Sequence, residues 1–395
     1  MGDMGLTVNY EELEEFRHEV RKMAEKEFAA KAAYWDRNEE FPDANRKVLA
    51  ELGYLGMGVP EEYGGAGAPM IQGVIFLEEL ARVCFNTALV GQIYLNGPSK
   101  AIAVLGTEEQ KKRLLPGVVE GKHFLAISIS EPGAGSAVTD LTSNIQVKNG
   151  KYILNGAKCY TTGGHVATHS FVFARFGQCT GSKGIGAIIV ERDMPGVTFG
   201  PPESKMGGRG VSETEVFFDN VEIPPENIVV EGNPNDTSGF KRLMSSFGPE
   251  RVGNAGMCLG LSQAAYEKAL AYTQEREQFG RPICEFQGIQ WKIADMATQL
   301  HAARLMIYDA ATNLKNGFPE PKACAMAKLY ANEMAQRVTN EALQVHGHAG
   351  YTRDLPLEQM VRDARGFALG GGTPEILRNT IAAQCYGRTF NQRRS

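Results

Sequence analysis

No stretch of this chain approaches the ~18 consecutive apolar residues a membrane-spanning helix needs, so no span is expected anywhere in its 395 residues. Paired cysteines are also lacking. Cys84, Cys159, Cys179, Cys258, Cys284, Cys324 and Cys385 lie far apart with no CxxC spacing. That pattern argues against a disulfide framework and points to reduced thiols in a reducing, cytoplasmic compartment. The seven histidines show no HExxH or similar ligand spacing, and His346 and His348 would diverge on a helix. No metal centre is expected. An excess of positive charge is missing as well: the net charge of −5 gives no electrostatic case for nucleic acid or an anionic membrane surface. The first twenty residues carry acids from the outset and no apolar core, so no secretory signal is expected. Finally, βαβ alternation is absent, so the lone glycine-rich stretch GGAGAP has no strand–turn–helix context for dinucleotide binding.

What is present falls into three segments of different periodicity, an α+β arrangement with domains expected at 1–125, 126–238 and 239–395. The first reads as helices broken by turns. Phe16, Val20, Met23 and Phe28 recur near helical spacing, and a second helical stretch runs from Ile71 to Arg82. From about residue 126 short β-rich runs take over. SNIQV and KYILNG flank Lys148-Asn149-Gly150, a hairpin signal, and FVFARF, IGAIIVE, VTFG and TEVFFDNVEI follow. Their number suits a small barrel or sandwich. After Asn235 the helical period returns. Ile289, Ile293, Met296, Leu300, Ala303 and Ile307 form one stripe, and Cys258, Leu261, Ala265, Ala269 and Tyr272 another, as in a packed helical bundle.

Four stretches then stand out: AISISEPGAGSAVTD, LNGAKCYTTGG, EREQFGRPICEFQGIQWKIADM and LQVHGHAGYTRDLPLEQMVRDARGFALGGGTPEILR. In SEPGAGS the proline and glycines make a compact turn whose N–H groups can approach a ligand, and Ser130 and Ser136 add hydroxyl donors. The four stretches, in this order, resemble the acyl-CoA dehydrogenase family along nearly the whole chain. The resemblance implies an N-terminal helical domain, a central β-barrel-like domain and a C-terminal four-helix bundle. It implies an FAD-dependent enzyme that desaturates an acyl-CoA thioester, passes electrons to an electron-transfer flavoprotein and assembles as a homotetramer.

By the same resemblance Ile129, Ser130, Gly135 and Ser136 contact FAD, Tyr160 stacks beside its ring system and Thr162 bonds near N5. Arg276, Gln278, Phe279, Gln287, Gln344 and Gly347 match positions that reach the cofactor of a neighbouring subunit, and Thr373 and Glu375 match positions at its adenosine part. An arginine fork suits a diphosphate. Arg251 resembles the arginine near the CoA phosphates, Ser136 also borders the substrate, and Tyr94 and Asn96, within Leu89–Pro98, are polar candidates for the pocket floor.

One departure is informative. Many members carry Tyr-Glu-Gly-Thr, with the glutamate as base. Here Gly370-Gly371-Gly372-Thr373 leaves position 371 without a carboxylate. Glu250 is the expected replacement, as in the isovaleryl-CoA dehydrogenase branch. It would take the α proton while hydride passes to flavin N5. Gly371 would keep its backbone N–H for the thioester oxygen, a donor of a kind worth ~10²–10³ in rate. Gly248 and Ala137 replace aspartates common in the family and leave carrier-protein thioesters open as substrates. The relocated base suggests a branched, cyclic or aryl-bearing acyl group. Flavin monooxygenase chemistry and a non-redox acyl-CoA lyase are the alternatives on the same fold.

Overall fold

The computed structural model describes residues 10–315 and 317–392. The opening nine residues, part of the stretch read for a secretory signal, lie outside them. Seven helices come first: α1 (Tyr10–Phe28), α2 (Ala32–Arg37), α3 (Asp43–Glu51), α4 (Met70–Val83), α5 (Phe85–Asn96), α6 (Pro98–Leu105) and α7 (Glu108–Val119). On α1 the stripe holds, with Val20 and Phe28 fully buried and Phe16 and Met23 partly buried against the same core. The break between α5 and α6 falls at Gly97, where a Cβ would sit 2.4 Å from the Ile93 carbonyl oxygen, and Pro98 opens the next helix. A capping box of Thr107 and Gln110 starts α7. Helix α4 is buried on almost every side. Its Glu78 and Glu79 are matched by Arg17 and Arg21 of α1, with Arg17 Nη1 at 2.7 Å and Arg21 Nε at 2.8 Å from Glu79. Buried carboxylates of this kind persist only when paired.

The central part contains β1 (Leu125–Ser128), β2 (Asn144–Lys148), β3 (Lys151–Thr162), β4 (His169–Phe176), β5 (Ile185–Glu191), β6 (Val197–Phe199), β7 (Glu213–Ile223) and β8 (Ile228–Val230). They form one sheet in the order β6-β7-β3-β2-β4-β5-β8, with β1 alongside β4. The path does not return on itself, so the sheet is barrel-like rather than closed. Asn149 (φ 51°) and Gly150 (φ 78°) make the β2–β3 turn. Strand β4 is buried on both faces: Val172, Ala174 and Phe176 join an inner core within the sheet, while Phe171 and Phe173 join the main core shared with the helices. The sheet is thereby fastened to the helical parts.

The C-terminal part contains α8 (Ser238–Ser245), α9 (Phe247–Glu275), a hairpin of β9 (Glu277–Gln278) and β10 (Arg281–Pro282), and α10 (Gln287–Thr312). A second hairpin of β11 (Leu314–Lys315) and β12 (Phe318–Pro319) leads to α11 (Pro321–His346), α12 (His348–Tyr351), α13 (Leu357–Gly366) and α14 (Pro374–Tyr386). Helices α9, α10 and α11 pack on one another, with α13 and α14 against α11. Arg304 of α10 reaches Glu78 of α4 at 2.8 Å, joining bundle and N-terminal part. Tyr272 near the end of α9 stacks on His346 at the end of α11, ring centres 4.3 Å apart, so these two helices run parallel. Among the described residues no helix is long and apolar enough to cross a membrane.

Candidate active site

Glu250 stands in the first turn of α9, where the helix dipole favours a negative charge. Its surroundings are set by three other elements. From α5, Gln92 donates to the Glu250 carbonyl oxygen at 2.9 Å and to Asn254 Oδ1 at 3.1 Å, and Asn96 donates to Gln92 at 2.9 Å. Gly253 leaves room for these side-chain amides, since a Cβ there would lie 2.1 Å from Gln92 Oε1. From the segment before α14, Gly371 approaches so closely that its absent Cβ would lie 3.5 Å from Glu250 Oε1 and 3.0 Å from Asn254 Nδ2. Positions 250 and 371, distant in sequence, therefore meet. From α11, the buried Lys328 faces the same point. Burial pushes the Glu250 carboxyl above its ordinary value, and Lys328, Arg251 and an Asn254 hydrogen bond pull it part of the way back.

Arg251 points its fork at the same loop, with Nε 3.5 Å from the Gly371 oxygen. Tyr94 is not in this group. It is 3% exposed, packs edge-on against Phe124 with ring centres 5.5 Å apart, and lies on the opposite side of α5 from Gln92.

On the far side of α5, Ile93 lies against Gly163, 3.8 Å from where a Cβ would be, and here the two β-region motifs come together. Ser128 and Thr161 share a hydroxyl hydrogen bond at 3.0 Å, and the Cys159 N–H donates to the Ser130 oxygen at 2.9 Å. Beneath them Lys158, fully buried, donates to the Ile129 oxygen at 3.0 Å and pairs with Glu131 at 2.7 Å. Glu131 also accepts from Thr142 and Ser143 N–H groups. The result is a rigid base under an open ledge. Gly135 and Ser136 are exposed, and a Cβ at Gly133 or Gly135 would meet nothing within 4 Å. Tyr160, 61% exposed at φ 55°, presents its ring beside the half-exposed Thr162. A non-glycine residue held at positive φ with an uncovered ring suits a site that receives a flat ligand.

The remaining predicted positions lie elsewhere. Arg276, Gln278 and Phe279 follow the end of α9, Gln287 starts α10, and Gln344 and Gly347 end α11, so all six share one end of the bundle. All are exposed, Phe279 at 94%. From Glu250 to Arg276 the length of α9 intervenes, roughly 40 Å at 1.5 Å per residue. Thr373 caps α14, accepting from the Ile376 N–H at 3.4 Å, with Glu375 exposed in its first turn.

These motifs belong to three consecutive matches. Residues 10–122 match "Acyl-CoA dehydrogenase, N-terminal domain", 126–221 the middle domain and 237–386 the C-terminal domain. The chain belongs to the acyl-CoA dehydrogenase family. It is 42% identical over 385 residues, 96% of this chain and 97% of the relative, to the 3-sulfinopropanoyl-CoA desulfinase of Paraburkholderia xenovorans (strain LB400). The butyryl-CoA dehydrogenase structure from Megasphaera elsdenii covers 98% of this chain and 100% of its own, with a TM-score of 0.90 and 32% identity. A solved structure described as "Electron transferring flavoprotein of Acidaminococcus fermentans" covers 97% of this chain and 99% of its own, with a TM-score of 0.90 and 35% identity. This acyl-CoA dehydrogenase family member is thus an oxidoreductase and, by family, a flavoprotein. The ledge residues fit a flavin: open backbone, two serine hydroxyls and an uncovered aromatic ring.

The sequence reading missed Gln92, Asn254, Glu131, Lys158 and Lys328. Lys328 left a signal. On α11 the buried positions 324, 328, 331, 335, 338 and 342 form a stripe, and a lysine occupies one of its core places.

Proposed function

We propose that this acyl-CoA dehydrogenase family member catalyses FAD-dependent α,β-dehydrogenation of an acyl-CoA thioester, with Glu250 as the base that removes the α proton. The observation that carries this reading is the convergence of Glu250 and Gly371 from different elements on one point. Where the family resemblance puts a glutamate, position 371 is a glycine whose missing side-chain place is closed in by Asn254 and Lys328, and α9 brings the Glu250 carboxylate to the same point. Burial raises the proton affinity of Glu250, which suits a carboxylate that must take a proton from a weakly acidic carbon. The Gly371 N–H accompanies it as donor to the thioester oxygen, a backbone group that needs no side chain at that position. Ile129, Ser130, Gly135, Ser136, Tyr160 and Thr162 hold and orient FAD, and when bound it supplies the acceptor for the β hydrogen. Arg251, beside the Gly371 loop, meets the CoA end. A branched or ring-bearing acyl group is the expected substrate, and an electron-transfer flavoprotein the expected acceptor.

Arg276, Gln278, Phe279, Gln287, Gln344 and Gly347 stand too far from Glu250 to serve the same cofactor within one chain. We assign them to the cofactor of a second copy, which makes the active form at least a dimer and, by family, a tetramer.

Anaerobic titration of the FAD-loaded protein with a panel of acyl-CoA thioesters tests the reading. Loss of the oxidised flavin absorbance is expected with at least one thioester in the wild type and with none in Glu250→Gln, which should still hold its flavin. Full bleaching in that variant would remove Glu250 from the role. A second reading is favoured by the 42% identity to a desulfinase: Glu250 takes the α proton and a β substituent departs with its bonding pair. Substituent release without any flavin bleaching would select it.

A further inference from the structure

We propose that Lys328 is a positioning residue of this site: its buried ammonium aims the Gly371 N–H and provides the counter-charge facing the Glu250 carboxylate. The proposal rests on the assignment of Glu250 as the base. Three glycines in a row, two of them at φ 67° and 102°, have no conformation of their own to keep. Yet residues 370–372 must present one N–H in one direction. Lys328 supplies the tether. Fully buried, it spends its donors on the carbonyl oxygens of Phe367 at 3.3 Å, Gly372 at 2.9 Å and Gly370. Asn332, one turn further along α11, adds a bond to the Phe367 oxygen. In a trans peptide the N–H points opposite to the preceding carbonyl. With the Gly370 oxygen drawn to Lys328, the Gly371 N–H is turned away from it and left without an acceptor among the described residues.

The charge acts on the same spot. The place of the missing Gly371 Cβ lies 3.3 Å from Lys328 Nζ and 3.5 Å from Glu250 Oε1, which puts the two charges within about 7 Å. Among the described residues no carboxylate comes within ion-pair distance of Lys328, so its charge is not spent elsewhere. Around Glu250, Arg251 on the same helix is the other cation; α5 contributes the neutral Gln92 and the 367–372 loop only backbone, while Cys258 faces Lys328.

The test uses the FAD-loaded protein with Lys328→Gln, which keeps hydrogen-bond donors and removes the charge, and Lys328→Arg, which keeps the charge and alters the donors. Acetoacetyl-CoA is the probe, since it has an acidic α proton and no β hydrogen to lose. Its enolate absorbance against pH reads the site without turnover. Lys328→Gln is expected to retain flavin and to bind the probe within about threefold of wild type. Its enolate midpoint should rise by about one pH unit, and turnover of a reactive acyl-CoA should lose ~10²-fold in kcat with little change in KM. Lys328→Arg, which keeps the charge but turns the Gly371 donor, should displace the midpoint by clearly less than about one pH unit while losing kcat, and it carries the test if the glutamine variant does not fold. An unmoved midpoint and kcat in Lys328→Gln, or equal losses of flavin, binding and kcat with the midpoint unmoved, would overturn the proposal alone. A midpoint displaced by about one pH unit or more in Lys328→Arg, as far as expected for loss of the charge, would also overturn it. Glu250→Gln with unchanged turnover would instead remove the base assignment, and this proposal with it.

Discussion

Gly371 illustrates how much a single side chain decides here. At φ 67° a Cβ is strained on its own account, and it would press on Asn254 Nδ2 at 3.0 Å and Lys328 Nζ at 3.3 Å. Gly371→Ala should therefore cost about 1–2 kcal/mol in urea unfolding and depress kcat through Asn254 and Glu250. Glu250 must be ionised to act as a base, and its pKa is raised. The rate of flavin reduction should accordingly fall with decreasing pH earlier than an ordinary carboxylate would dictate, as read by stopped-flow absorbance. Asp363 is a separate residue-scale case. It is 2% exposed and accepts the Gly208 N–H at 2.7 Å. Burial, with Asp36 nearby, pushes it from 3.8 up to about 7. The folded chain thus holds this proton more tightly than the unfolded one, and the associated stability fades as pH rises from about 4 to about 7. Asp363→Asn should unfold at higher urea than wild type at pH 8, by on the order of 2–4 kcal/mol, with the gain vanishing near pH 4.

At the scale of elements, the Glu131–Lys158 pair fixes the SEPGAGS turn to β3. Removing one partner leaves a buried, uncompensated charge, typically about 3–5 kcal/mol. Glu131→Gln should melt lower and release FAD more readily in equilibrium dialysis. Although burial opposes it, Lys158 and the Thr142 and Ser143 donors hold the Glu131 carboxyl down at about 2, against 4.5 ordinarily. The stability this contributes is complete above 4.5 and is lost as pH falls toward 2, so the gap between wild type and variant should close across that window.

At the scale of the whole molecule, roughly 40 Å of α9 separates Glu250 from Arg276. If the distal cluster serves a partner's cofactor, an Arg276→Glu chain mixed with a Glu250→Gln chain should form hybrid dimers with one working site. Each hybrid should then show about half the wild-type activity although both parents are impaired. Mixtures no better than the parents would place cofactor and cluster in the same chain. The family itself was legible from four motifs because each carries its meaning in contiguous residues, and three consecutive domain matches bear that out.

Periodicity alone gave the order of helical, β-rich and helical parts, since burial of one face imprints a period of 3.6 or 2 on the chain. The Asn149-Gly150 turn and the stripes of α1, α9 and α10 are local in the same sense. What the sequence could not express is where distant segments meet. Gln92 reaches across to α9 beside Gly253, which leaves room for its amide, and Tyr94, read as a pocket residue, turns into the core because α5 offers its other face to Glu250. The role of Lys328 is likewise invisible in one dimension. Its hydrogen-bond partners are backbone carbonyls some forty residues further along the chain, and a carbonyl has no letter of its own in a sequence.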